Sequence, residues 1–346
     1  MVELLDALRR DPSDLEAWAV LADLLAEQGD VRSELIRLRL EHDETTLVGD
    51  TERATACGTR GHALWTEHRA ELGPGLPTGI CELWFGGFLL GASTRPGRQH
   101  PPDWSEVAEA YAELRREHPL LGHLTVRAGP DDPLSQWLAH PGFRHLRRLV
   151  VQMGDSGWDA SWPARLGRVP ALAHLPELGL VLPPSTGKRR GLRGADAWRA
   201  LFLEGHFPAL RWLDLAGQAT FGPQGASLLA QRGSASLEVL RLWRTGLTAA
   251  GVAALASSPV LQGVRRLHLS GNVIGMKGVE ALIAGGVRAS LQELGLDRCG
   301  LTDRHVARLL SVDWPRLTRL DLRNNAVKHP VEAPPGMELL AETSVG

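Results

Sequence analysis

The short motifs in this chain that could do chemistry each lack the partners their chemistry requires. Thr186-Gly187-Lys188 has the ending of a phosphate-cradling loop. Such a loop needs Gly-x-x-x-x-Gly-Lys-Ser/Thr, so that backbone N–H groups wrap the phosphates and a hydroxyl reaches the metal. Here Arg189 follows Lys188, and no glycine stands five residues before Gly187. Lys188, Arg189, Arg190 and Arg193 read instead as a solvated basic loop or a basic docking patch. His140 and His145 bracket Pro141-Gly142. No HExxH pair or cysteine cluster joins them, and a zinc site wants three or four such donors. Asp131-Asp132 lies between Pro130 and Pro133, where turn chemistry accounts for it. No Gly-x-Ser-x-Gly elbow occurs. The expectation is a chain with no catalytic set, no cofactor and no metal.

Recognition remains. Trp and Arg are the residue types most enriched in binding hot spots, and Trp212, Arg241, Trp243, Arg266, His268 and Arg319 recur at related positions. Positions relate this way only if the elements that carry them repeat. The pattern Leu-x-x-Leu-x-Leu begins at Leu210, Leu237, Val264, Leu291 and Leu317, at intervals of 27, 27, 27 and 26 residues. Less regular copies begin at Leu121, Leu146 and Leu175. The ninth position is Gln218, Thr245, Asn272, Cys299 or Asn325. An Asn there suits a chain turning out of a strand, because its side chain can satisfy nearby backbone groups. Apolar helical stretches follow, as in Gly251-Val-Ala-Ala-Leu-Ala and Gly278-Val-Glu-Ala-Leu-Ile. A short strand and a helix with one apolar stripe cannot bury themselves alone, so stacked units must share one core.

These units, most closely VRRLHLSGNVIGMKG from Val264 to Gly278, resemble ribonuclease-inhibitor-type leucine-rich repeats. The resemblance implies an α/β solenoid, with parallel strands on a concave face and helices on a convex face. The N-terminus differs. Asp14 is placed to cap a helix whose apolar face is Leu15, Trp18, Leu21, Ala22 and Leu25. Gly29-Asp30 ends it, and a third helix is expected over Val31–His42. The string DPSDLEAWAVLADLLAEQGDVRSELIRLRLEHD resembles the repeat-companion domain, a short bacterial module found ahead of repeat arrays. Expected boundaries are a small all-α domain at 1–43, a helical linker and capping region at 44–117, the solenoid at 118–330 and a tail at 331–346. Ile80–Phe85 reads as an outlying strand or as a hairpin through Gly86-Gly87. Residues 183–194 read as an inserted loop.

Strand alternation sends the third, fifth and seventh positions of each unit away from the core. The expected binding residues are therefore Trp212, Asp214, Arg241, Trp243, Arg266, His268, Asp297, Arg319, Asp321 and Arg323. Two readings of the tryptophans stay open: contact with a partner, or mutual packing across strands. Residues 1–117 carry a net charge of −10 and residues 118–346 of +8. The basic part suits an acidic protein partner or nucleic acid. The acids among the arginines favour protein, because a phosphate track should be more uniformly positive. The expectation is a non-enzymatic scaffold that binds another protein, monomeric alone. Cys57, Cys81 and Cys299 show no CxxC spacing, which suits the cytoplasm. No membrane span and no signal peptide are expected.

If the register is right, Leu267 sits in a continuous row of buried leucines. Leu267→Ala should then cost about 2–5 kcal/mol, measured by chemical denaturation. An unchanged unfolding midpoint would place Leu267 outside the core.

Overall fold

A computed structural model of the chain describes residues 1–12, 14–47, 50–73, 80–86, 88–94, 104–128, 133–153, 161–182, 192, 194–205, 207–232 and 236–341. The chain forms two compact units, one of residues 1–125 with 140–146, the other of residues 126–139 with 147–346.

The first unit opens with α1 (Val2–Arg10), α2 (Leu15–Glu27), α3 (Arg32–Leu47) and α4 (Thr51–Glu67). The Asp14 carboxylate accepts from the Ala17 N–H at 2.9 Å, which fixes where α2 starts. Trp18 is fully buried, and its indole N–H donates to the Pro12 carbonyl at 2.9 Å. Around it pack Leu8, Leu21, Leu25 and Ile36, together with Phe88, Leu90 and Leu120. The helices thus share their core with a β-hairpin. Leu15 departs from the expected apolar face: it is more than half exposed, because it opens α2 at the edge of that core. The third helix runs past His42 to Leu47. The Thr45 and Thr46 hydroxyls donate to the Glu41 and His42 carbonyls, and Arg39 pairs with Asp43 at 3.0 Å, so the polar run extends the helix. β1 (Ile80–Phe85) and β2 (Phe88–Thr94) form the antiparallel hairpin. After α5 (Trp104–Glu117), β3 (His123–Ala128) runs parallel to β2. Gly91 makes that pairing possible, since a Cβ there would lie 2.6 Å from His123 Cβ.

The second unit alternates short strands and helices: α6 (Leu134–Trp137), β4 (Arg148–Met153), α7 (Ser161–Gly167), β5 (Glu177–Val181) and α8 (Gly194–Arg199). There follow β6 (Trp212–Asp214), α9 (Gly222–Gln231), β7 (Val239–Arg241), α10 (Ala249–Ala256), β8 (Arg266–His268) and α11 (Gly275–Ala284). The unit ends with β9 (Glu293–Gly295), α12 (Asp303–Leu310), β10 (Arg319–Asp321) and β11 (Glu338–Leu340). From β4 to β11 each strand is parallel to the next, with Leu149, Leu178, Leu213, Leu240, Leu267, Leu294, Leu320 and Leu339 side by side. The leucine-rich-repeat solenoid read from the sequence is the observed fold. Beyond residue 330, Glu338–Leu340 adds a strand to the sheet, which the leucine pattern does not reveal.

The ninth-position residues do more than turn the chain. The Asn272 carboxamide oxygen accepts from Thr245 N–H at 3.1 Å and Leu247 N–H at 3.0 Å, both in the preceding repeat. Its NH2 donates to the carbonyls of Leu242 and Leu269 at 2.7 Å each. Asn325 repeats this pattern on Cys299, Leu301, Leu296 and Leu322. Gln218 donates to the Leu180 carbonyl and accepts from Leu192 N–H, its extra methylene bridging to the far end of the longest unit. Just before each rung the backbone turns left-handed, at Gly217, Arg244, Gly271, Arg298 and Asn324.

Asn272→Ala should therefore destabilise the protein by roughly 3 kcal/mol or more, because two buried N–H groups and two carbonyls lose their partner at once. Denaturant titration checks this. Asn272→Cys, which copies the natural Cys299, should cost less.

Candidate binding face

The open face of the sheet is built by three rows of side chains. Their arrangement differs from a simple solvent-facing set. Trp212 is half-buried and lies on Gly179, where an added Cβ would come within 3.4 Å of the ring. The Arg148 guanidinium stands 4.4 Å from the Trp212 ring centroid and that of Arg241 stands 5.9 Å away. Arg148 Nε approaches Glu177 Oε2 at 2.7 Å as an ion pair, without the alignment of a hydrogen bond. Arg241 lies 3.9 Å from Asp214. Trp243, also half-buried, has the Arg244 guanidinium 5.0 Å above its ring. Among the described residues the two tryptophans make no ring contact with each other; arginines cover both.

From Leu210 onward, four of the third, fifth and seventh positions are interior. Asp214, Val239, Ser270 and Gly295 are all under 9% exposed. Val239 pairs between Trp212 and Arg266, whose larger side chains flank it. Burial raises the Asp214 pKa, against the opposing pull of the Ala216 N–H, Arg241 and Arg148. Asp321 behaves oppositely: burial would raise it, but the bidentate Arg323 fork holds it below the usual carboxylate range. Arg319 pairs with Glu338 at 3.5 Å. Asp297 is half-buried beside these rows.

The arginines thus fall into two classes. Arg148, Arg241, Arg319 and Arg323 are engaged by acids of the same sheet. Arg244, Arg266 and Arg298 are exposed and have no acidic partner among the described residues. Sequence reasoning passed over Arg148, because it sits in an irregular early unit. It also passed over Arg244 and Arg298, because the eighth position lies outside the leucine pattern. The column Gly217, Arg244, Gly271, Arg298, Asn324 was the available signal. Lys188, Arg189, Arg190 and Arg193 lie outside the described residues, as do Asp131 and Asp132. His140 accepts from the Gly142 N–H at 3.1 Å, a turn-forming role. Among the described residues no group of three or more His, Cys, Asp or Glu could hold a metal ion, and no helix is long and apolar enough to cross a membrane.

His268 lies 3.7 Å from Glu293. Burial pushes its pKa below the ordinary value; Glu293 and Asp297 pull it up, while Arg241 and Arg266 push it down. A base with a depressed folded pKa binds fewer protons folded than unfolded, so stability falls as pH drops below about 6.5, the unfolded value. Replacing it by His268→Gln should remove that share of the acid sensitivity. Urea midpoints of both proteins at about pH 7.5 and about pH 5.5 test this; an identical pH dependence would contradict it.

Residues 263–282 match the family model described as "Leucine Rich repeat". No curated protein matches the sequence. Among solved structures, a chain in the crystal structure of the Rad7 and Elc1 complex in yeast aligns with 14% identity and a TM-score of 0.35, covering 67% of this chain and 77% of that one. The matched segment is the unit from Val264 to Gly278 with its helix, and the same register runs through its neighbours on both sides. The fold of the second unit is thus that of a leucine-rich-repeat solenoid, with one of its units matched by the family model.

Proposed function

We propose that this protein is a non-enzymatic scaffold that binds another protein across the open face of its repeat sheet. The observation that carries the reading is the pair Trp212 and Trp243: each is half-exposed on one continuous parallel sheet with an arginine on its ring. Aromatic rings held in place by their neighbours offer contact area at little entropic cost, and arginine forks add carboxylate recognition. Acids interleaved with the arginines disfavour a nucleic acid, whose phosphates would meet Asp297, Glu293 and Asp321 on the same surface. The ten residues expected from the sequence belong to this proposal with one shift of emphasis. Asp214, being buried, would act by holding Arg241 rather than by touching a partner. We further propose that residues 1–43 form a helical module ahead of the array, its core completed by Phe88, Leu90 and Leu120, and that the protein works in a reducing compartment. Buried, unpaired Cys57 and Cys299 support the latter.

The test is affinity capture with the full chain as bait, followed by calorimetry on the protein retained. Trp243→Ala should weaken binding by about 2 kcal/mol or more while the melting temperature stays near wild type. Lys277→Glu, on the exposed side of α11, should leave affinity unchanged. The reverse pattern would move the site to the helices.

A further inference from the structure

We propose that Arg244 and Arg298 form a charged rail that seats an extended acidic segment of the partner; this rests on the sheet-face reading above. The starting observation is backbone conformation. Both arginines occupy the left-handed region, at φ 51° and φ 53°. L-residues with a Cβ enter that region at a cost, and glycine enters it freely. The equivalent residues Gly217 and Gly271 hold φ 81° and 70°, so the position itself favours glycine. Stability alone would place glycine at all of these turns. Two arginines there are a local conflict between residue and conformation, of the kind that collects at binding sites.

The surroundings of Arg244 say what it is held for. Its guanidinium stacks on Trp243, and its side chain lies across the next repeat, where Gly271 leaves room. A Cβ at residue 271 would be 2.6 Å from Arg244 Cγ. The arginine is thus immobilised by an aromatic face on one side and a bare backbone on the other. Yet it has no acid to neutralise it among the described residues, and neither has Arg298. Arg244, held by its neighbours and unpaired, is prepared for an anion from outside, and Arg298 repeats its backbone conformation and exposure two repeats on.

Spacing narrows that anion. Arg244 and Arg298 are two repeats apart, about 10 Å at the ordinary distance between neighbouring strands. In a polyproline II segment, residues three apart project on the same side at about 9 Å. Carboxylates at every third residue of such a segment would meet both arginines. Small apolar residues between them would lie against Trp243. A polyanion charged at every residue fits less well, because Asp297 precedes Arg298 directly.

The experiment uses the full chain and a fluorescein-labelled twelve-residue probe with Glu at every third position and Pro or Ala between, followed by anisotropy. Wild type should bind it. The double variant Arg244→Gly/Arg298→Gly should lose at least about tenfold in affinity, equivalent to about 1.4 kcal/mol. Its melting temperature should be no lower than wild type, since glycine suits both turns. The inference is overturned if the probe does not bind, or if the double variant binds it as well as wild type. It also fails if a probe with Glu at every second position binds equally, if a single-stranded oligonucleotide of equal charge competes equally, or if the double variant melts below wild type. With the captured partner, binding that depends on Trp243 but not on the two arginines would sink the rail alone. Binding indifferent to both would sink the sheet-face reading as well.

Discussion

A buried carboxamide ties one repeat to the next, and the rest of the array depends on it. A three-residue strand makes too few ladder bonds to hold its register unaided. Asn272 and Asn325 supply the missing connections by taking two backbone donors from the previous repeat and returning two donors to carbonyls on either side of the joint. Both side chains are buried, where a hydrogen bond is electrostatically stronger than in water, and the leucines of successive units are held opposite one another. The left-handed turn before each rung is the geometric condition for this. It turns the ninth side chain inward, where Gln218, Thr245, Asn272, Cys299 and Asn325 are all buried.

With the register fixed, the face becomes a lattice of charges and rings on which local neutralisation has already occurred. Arg148 with Glu177, Arg241 with Asp214 and Arg323 with Asp321 are pairs across or along strands. These pairs contribute little to stability where exposed. Their effect is to orient the guanidinium groups and to leave Trp212 clamped over Gly179. The net charge of the sequence gives no hint of this sorting. Two proteins with the same arginine count could present quite different surfaces, depending on which arginines are engaged.

The strands, the leucine rows and the unit boundaries from Leu210 onward were legible because burial imposes a period that survives substitution. The Asp14 cap and the buried Trp18 were legible for a similar reason, since caps and apolar stripes are local. What was not legible depended on neighbours distant in sequence. Val239 looks like a face residue until Trp212 and Arg266 stand beside it. Asn272 looks like a turn residue until its partners at Thr245 and Leu247 are seen. Arg244 looks like one more surface arginine until its φ angle and the missing Cβ of Gly271 are known. β11 was hidden because Gly336 and Ala341 stand at the pattern's first and sixth positions, leaving Leu339 alone in register.

Cys299 stands where its neighbours have asparagine. Its sulfur donates weakly to the Leu269 carbonyl at 3.4 Å and can offer the Asn272 backbone only a soft acceptor. Burial pushes its thiol up to about 12, so it stays protonated and chemically inert. Thr245 is weaker still as a link backwards, since its hydroxyl donates to the Leu242 carbonyl of its own repeat. In a linear array whose cohesion is a chain of nearest-neighbour couplings, the weak couplings decide where local opening begins. Amide exchange should therefore start at the joints leading into the repeats of Thr245 and Cys299, and last at those closed by Asn272 and Asn325.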